Sequence, residues 1–294
     1  MTVQRVLTGH HKDLGGGFMV RRLLPAAQQQ SVGPFIFFDH FGPVTEQPGT
    51  NHDVRPHPHI GLATVTYLFE GAMMHRDSVG SSQRIEPGAI NWMTAGRGIV
   101  HSERAPEDLR STAYVNHGLQ LWAALPKAFE EVAPDFTHTP ADAIPVVTLP
   151  GVEVRVLIGD AFGKTSPVKT FSKTVYLDIR LATGASVELP ALAEELAVYV
   201  VSGGVVVAGD AVPTNALCTL TSGLPTTLHA TTDVRLVVVG GEPLDGHRYM
   251  WWNFVSSRKE RIVQASNDWL AQGMGQVPGE TEFIPLPERR FTAD

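Results

Sequence analysis

The chain has 294 residues, a formal charge of −7 at neutral pH, 43% hydrophobic and 18% charged residues, which is the balance of a globular protein and not of a disordered one. Its acidic character offers no broad footprint for phosphate backbones, so direct nucleic-acid binding is disfavoured. A single cysteine, Cys218, excludes an internal disulfide and a thiolate metal cluster, while 21 prolines and 28 glycines require frequent turns.

Taken in order, Met1 to Gly17 carries Arg5, His10, His11, Lys12 and Asp13 and no apolar stretch of signal-peptide length. No later run is long enough to span a membrane, so the expected setting is the cytoplasm, without a membrane partner. His10 and His11 are neighbours and would face opposite ways on a strand, which reads as surface. Gly15-Gly16-Gly17 lacks the Lys-Ser/Thr pair of a phosphate loop and is expected to be a bend. Phe18 to Leu24 reads as a strand, and Phe35-Ile36-Phe37-Phe38 as a short apolar one closed by Asp39 and His40.

His57-Pro58-His59 follows a polar loop, Gln47 to Arg55, that holds His52. The run from Gly61 to Gly71 is β-branched and aromatic, and with the segment to Gly80 it is expected to form a hairpin. Ile85 to Met93 gives a further strand, and Thr94 to Gly98 a glycine-rich turn immediately before His101-Ser102-Glu103. Glu107 to Arg110 reads as a solvated charged loop. In Asn116 to Leu125 the period of two puts Leu119 with Leu121 on one face and Gln120 with Trp122 on the other, where Gln120 can face a neighbouring strand or a pocket.

Pro126 to Pro145 contains four prolines and weak periodicity and reads as a linker. A second series of strands follows at Pro145–Leu149, Val152–Ile158, Thr174–Arg180, Leu196–Val207 and Val234–Val239, suggesting an internal duplication. Its one histidine between Val146 and Pro243, His229, has no partner at strand spacing. The tail carries the convincing helix, with Ile262, Ala265 or Ser266, and Trp269 at helical spacing up to Gly273 and Ser256 or Ser257 as cap. Trp251-Trp252 before it reads as core packing, and Val277 to Arg290 as an extended arm. The expected domains are 1–128, a linker over 129–144, and 145–294 with the helix and arm.

Successive side chains of a strand point to opposite faces, so residues two apart share one. His57 then sits beside His59, and His101 beside Glu103. If their strands lie across from one another, two imidazoles meet an imidazole and a carboxylate. Three nitrogens and one oxygen suit Fe, Mn, Ni, Cu or Zn. Short histidine pairs also occur as ordinary surface or hydrogen-bonded core residues; the strand context between the two pairs favours the metal reading. His40 reads as structural, His52 as a rim residue and His75 as the partner of a local ion pair, so all three are left out of the metal shell.

Asp39-His40-Phe41-Gly42-Pro43, Pro56-His57-Pro58-His59-Ile60-Gly61, Trp92 to Glu103 and His117-Gly118-Leu119-Gln120-Leu121-Trp122 resemble the pirin family of the cupin superfamily. The resemblance is dense from Gly33 to Pro126 and looser beyond. It implies an all-β fold of two jelly-roll cupin barrels, a bicupin, with a short C-terminal helix. It also matches His57, His59, His101 and Glu103 to the family's metal ligands and points to Fe(2+) as the ion, other divalent transition metals being compatible. The pattern departs from ordinary cupins, whose glutamate follows the paired histidines within a few residues; here the carboxylate comes from the second motif.

Four protein ligands on an octahedral ion leave positions for water, O2 or an oxygen-rich substrate. The resemblance implies a quercetin 2,3-dioxygenase-like activity on flavonol or catechol-type substrates, with Glu103 as the catalytic proton acceptor because it is the one ligand able to serve as a carboxylate base. The alternative is an iron-dependent, redox-sensing regulatory protein that binds transcription factors or a metabolic enzyme. A metal-assisted isomerase is a third option, since a fold does not fix a chemistry.

Overall fold

Alternation of apolar and polar side chains turns about half of the chain into strands, mostly antiparallel, in the computed structural model, which describes residues 3–15, 17–50 and 52–293. By packing, the chain divides into two units, each drawn from separate stretches of sequence. One comprises Met1–His11, Arg21–Asp39 and Thr139–Leu244, the other Lys12–Val20, His40–His138 and Asp245–Asp294.

In the unit built around Thr139–Leu244, a seven-stranded sheet runs in the order Val3–Leu7, Leu217–Leu220, Glu195–Ser202, Val234–Gly241, Thr174–Leu181, Val152–Ile158, Val146–Leu149. A four-stranded sheet runs Ser186–Leu189, Thr226–Ala230, Val205–Val207, Asp210–Val212. Every second residue points inward, so Val154, Ile179, Val198 and Leu236 of the large sheet share a buried core with Val187, Val205 and Leu228 of the small one. The run expected as one strand from Leu196 to Val207 is cut at Gly203, whose φ of +82° and close approach to the Asp233 carbonyl leave no room for a Cβ. Cys218 is buried in this core, which pushes its thiol up to about 12. His229 is exposed and hydrogen-bonds Ser186 through Nδ1 at 2.8 Å.

The other unit repeats the plan. Asp135–Thr139, Ile90–Thr94, Leu62–Glu70, Tyr114–Ala124 and Phe35–Glu46 lie side by side in one sheet. The smaller sheet has four strands: β1 (Val54–His59), β2 (Met73–Asp77), β3 (Ser82–Ile85) and β4 (Ile99–Arg104), in the order β1-β4-β2-β3. Phe41 and Leu68 from the first sheet pack against Ile85 and Met73 from the second. Leu62–Glu70 and β2 do not form the expected hairpin: Gly71 carries the chain from one sheet to the other, and β2 instead pairs with β3 across the Ser78–Ser81 turn. The stretch 129–144 is not merely a linker, because Asp135–Thr139 adds an edge strand to the larger sheet.

Residues 245–294 group with this same unit and not with the strands that precede them in sequence. Helix α1 (Lys259–Leu270) buries Ile262, Ala265, Ser266 and Trp269, the expected stripe. Arg258 takes the cap position, and Ser256 Oγ accepts its N–H at 3.1 Å, whereas Ser257 is held by Glu130. The helix stops at Leu270, short of Gly273, as Gln272 turns to a φ of +55°. Ile262, Ala265 and Trp269, with Phe254, Val277 and Leu286, cover Ile60 and Val100, residues that alternate with the histidines on the ligand-bearing chain. Trp251 and Trp252 pack at the edge of this cluster, as expected. Among the described residues no helix is long and apolar enough to cross a membrane.

Candidate metal centre

Antiparallel pairing of β1 with β4 sets His101 opposite His57 and Ile99 opposite His59. His57 and His101 are therefore a cross-strand pair, and His59 is their diagonal neighbour on the same face. Pro56 and Pro58 fall at the alternate positions, which face out of the sheet, so their missing N–H groups cost no ladder bond. That outer edge is covered by the C-terminal arm: the Ile284 N–H donates to the Pro56 carbonyl at 2.8 Å. On β4, Glu280 of the same arm accepts from Ser102 Oγ and from Arg104.

Nitrogen atoms of His57, His59 and His101 all lie within 4.8 Å of one another, and all three residues are buried. Their ring centroids are 4.3 to 5.0 Å apart, and the Trp122 ring stands nearly perpendicular to His59 at a centroid separation of 5.2 Å. Among the described residues this is the one group of three or more His, Cys, Asp or Glu side chains so placed. Beside His59, the hairpin of Tyr249–Trp251 and Phe254–Ser256 joins the chain through the Val255 N–H and the Ile60 carbonyl at 3.2 Å. Gly61, at a φ of +68°, makes room for it, since a Cβ there would collide with the Val255 carbonyl.

The protonation chemistry suits a cation. Burial pushes His57 down to about 4, opposed by its bond to the Arg55 carbonyl. His59 and His101 are held well below the ordinary imidazole range by burial first and by neighbouring imidazoles second. All three rings are thus neutral at pH 7 and keep a lone pair. His57 Nδ1 donates to the Arg55 carbonyl at 2.9 Å, which leaves Nε2 as the lone-pair nitrogen. His101 Nε2 is buried with no hydrogen-bond partner among the described residues, and His59 Nδ1 has no close one, although the Asn253 backbone beside His59 partly offsets the effect of burial on that ring. Orphaned buried nitrogens carry a desolvation cost, and a divalent metal would offset it.

Glu103 stands apart from this tight group. The register of β4 against β1 shifts between His101 and Glu103, which comes to lie opposite Val54, on the far side of His57 from His59. Glu103 is partly exposed as a residue, yet its carboxyl is deep enough that burial pushes it up to about 7. The structure therefore brings three of the four expected ligands together and leaves the fourth one ladder step away.

The other histidines fall where the sequence sets them. His40 is buried and contacts His117 ring to ring, Nε2 to Nε2 at 2.9 Å, and His52 pairs with Glu46. Gln120 faces its cross-strand neighbour, accepting from Thr66 Oγ1 at 2.8 Å. His75 pairs with Asp77 at 2.9 Å as expected, but sequence reasoning misses that β2 lies beside β4, which also brings His75 Nδ1 to 3.3 Å from His101 Nδ1. The signal was the two-residue spacing of His75 and Asp77, the same strand rule that singled out the ligand pairs.

Known proteins resemble this chain along most of its length. The pirin family model matches residues 17–123, and that of the pirin C-terminal cupin domain matches residues 176–275. A pirin-like protein of Caulobacter vibrioides is 45% identical over 291 residues, covering 97% of this chain and 100% of its own. Pirin of Homo sapiens is 34% identical over 263 residues, 87% of each chain. A crystal structure of quercetin 2,3-dioxygenase from Acinetobacter baumannii superposes with a TM-score of 0.91 at 34% identity, covering 99% of this chain and 97% of that one.

Proposed function

The chain belongs to the pirin family, and from that premise we propose that it is a metal-dependent dioxygenase, similar to quercetin 2,3-dioxygenase, that opens flavonol or catechol-type rings with O2. His57, His59 and His101 hold the ion, Glu103 completes the set, and the ion is Fe(2+). What supports this reading above all is the buried triad of neutral imidazoles with unpartnered nitrogens, set in a fold matched along nearly its whole length by a protein named for that activity.

When bound, iron supplies Lewis acidity and one-electron chemistry toward O2. The chain supplies proton handling and shelter. Glu103 is the one member of the set whose carboxylate can take the proton of a flavonol hydroxyl. The three imidazoles, held neutral by burial, do not compete for that proton. Trp122, buried on the larger sheet, packs against His59 on one side of the centre.

The test is O2 uptake by iron-loaded protein, checked for occupancy, with quercetin and related flavonols, together with detection of the carbon monoxide that this ring cleavage releases. Multiple turnovers are expected. Glu103→Gln, which keeps the shape but not the base, is expected to retain metal and lose most turnover. No O2 uptake with any of several flavonols and catechols overturns the dioxygenase reading in favour of a metal-dependent role in binding a protein partner.

A further inference from the structure

Behind His101 lie two buried groups, His75 and Asp77, that the proposed reaction does not use. Asp77 is fully buried. Its Oδ1 accepts the N–H groups of Val79 at 3.0 Å and Ser81 at 2.9 Å, and its Oδ2 faces His75 Nε2 at 2.9 Å. His75 is stacked flat on Phe136, with ring centroids 4.1 Å apart and planes 12° from parallel. Its Nδ1 meets His101 Nδ1 at 3.3 Å.

The donors and acceptors in this chain fix one another. A carboxylate only accepts, so His75 Nε2 carries the hydrogen. With its one hydrogen on Nε2, toward Asp77, His75 presents Nδ1 as an acceptor, and His101 Nδ1 at 3.3 Å donates to it. His101 Nε2 is then a bare lone pair, and it is the buried nitrogen of that residue that lacks a protein partner. We propose that Asp77, acting through His75, sets the tautomer of His101 so that Nε2 faces the histidine cluster ready to bind a metal, which makes His75 and Asp77 positioning residues of the centre. This rests on the reading that the triad holds a metal. His57 reaches the same state by a shorter route, through the Arg55 carbonyl, so His57 and His101 each have the lone pair set by a partner on the opposite side of the ring.

Asp77→Asn separates this role from mere packing. The N–H groups of Val79 and Ser81 hold an oxygen at the Oδ1 position, so the amide nitrogen must occupy the other position and donate toward His75. The relay then inverts: His75 Nε2 accepts, its Nδ1 donates, and His101 carries its hydrogen on Nε2, where the metal would bind. His75→Phe keeps the stack on Phe136 and only releases His101 to choose. The near-isosteric variant should therefore harm metal binding more than the drastic one, an order that structural damage would not produce.

Long-range nitrogen-proton NMR on full-length, metal-free protein with labelled histidine reads the tautomers directly, and titration with Co(II) reads affinity. Wild type is expected to show His75 protonated on Nε2 and His101 on Nδ1. Asp77→Asn is expected to show both reversed, with Co(II) affinity down about 10- to 100-fold, and His75→Phe a smaller loss. A wild-type His101 protonated on Nε2, a doubly protonated His75, or an Asp77→Asn protein with unchanged tautomers and affinity overturns the proposal. If Asp77→Asn does not fold, the wild-type tautomers decide alone. Failure of wild type to bind Co(II) would instead overturn the metal reading.

Discussion

Metal binding to this protein should release close to one proton per ion at pH 6 and almost none at pH 8. The proton comes from Glu103, whose carboxyl lies near 7 because burial disfavours its charge, so roughly nine in ten molecules hold it protonated one pH unit below. The imidazoles add nothing in this range: His57 lies near 4 and the other two well below 6.5. A ligating carboxylate must be ionised, so apparent affinity should fall about tenfold, or about 1.4 kcal/mol, per unit below pH 7 and level off above it. Anaerobic calorimetry with Fe(II) or Co(II) in buffers of different ionisation enthalpy counts the protons. Glu103→Gln should abolish the release while leaving the ion bound. Absence of release from wild type at pH 6 would remove Glu103 from the ion's surroundings, and release of two or more protons would mean that the imidazoles are charged and not desolvated.

In metal-free protein the same shifts act on folding with opposite signs. His57, depressed to about 4, contributes stability that is present above 6.5 and lost, by about 3 kcal/mol, as pH falls toward 4; Glu103, raised to about 7, contributes stability present below 4.5 and lost as pH rises through 7. With three depressed imidazoles against one raised carboxyl, the urea midpoint of the apoprotein should drop on acidification from pH 6.5 to 4, and a flat profile would contradict the burial argument. His59→Ala and His101→Ala should each sharply lower metal content measured by elemental analysis while the circular dichroism stays that of a β protein; full occupancy in both would dismiss the triad. Glu280→Ala removes the acceptor of Ser102 and Arg104, and a stability loss of about 1–3 kcal/mol with faster proteolysis of the arm is expected. Leu236→Ala, in the core of the unit without the triad, should cost about 2–5 kcal/mol and leave the stoichiometry at one ion per chain; two ions in wild type would refute the reading that only the unit with the histidine triad binds metal.

Much of the centre could be read from the sequence because a strand has a period of two. His57 with His59, and His101 with Glu103, needed only that rule, and the cross-strand meeting of His57 with His101 followed once β1 and β4 paired. The position of Glu103 did not, since the register shift beside it is set by how Val54 meets β4 and leaves no mark in the local pattern. The link from His75 to His101 also required knowing which strand is β4's second neighbour, a long-range fact that alternation cannot supply. For the same reason Gly71 looked like a hairpin turn: a tight glycine turn serves equally to return a strand in its own sheet or to send it into the facing one. The helix stripe was legible through Ile262 and Trp269, but the side to which the tail belongs was decided by apolar residues on strands far earlier in the chain, Ile60 and Val100.

That division of the tail has a consequence for the order in which the molecule can be made. His57, His59 and His101 leave the ribosome early, but the hairpin beside His59, the arm that covers the outer edge of β1 and the helix beneath Ile60 and Val100 all lie in Asp245–Asp294. The whole of Thr139–Leu244, a unit with its own core, is synthesised in between. Until Asp245–Asp294 is made, neither the edge cover of β1 nor the backing of Ile60 and Val100 can be in place, so the full surroundings of the centre depend on a segment far from its ligands in sequence.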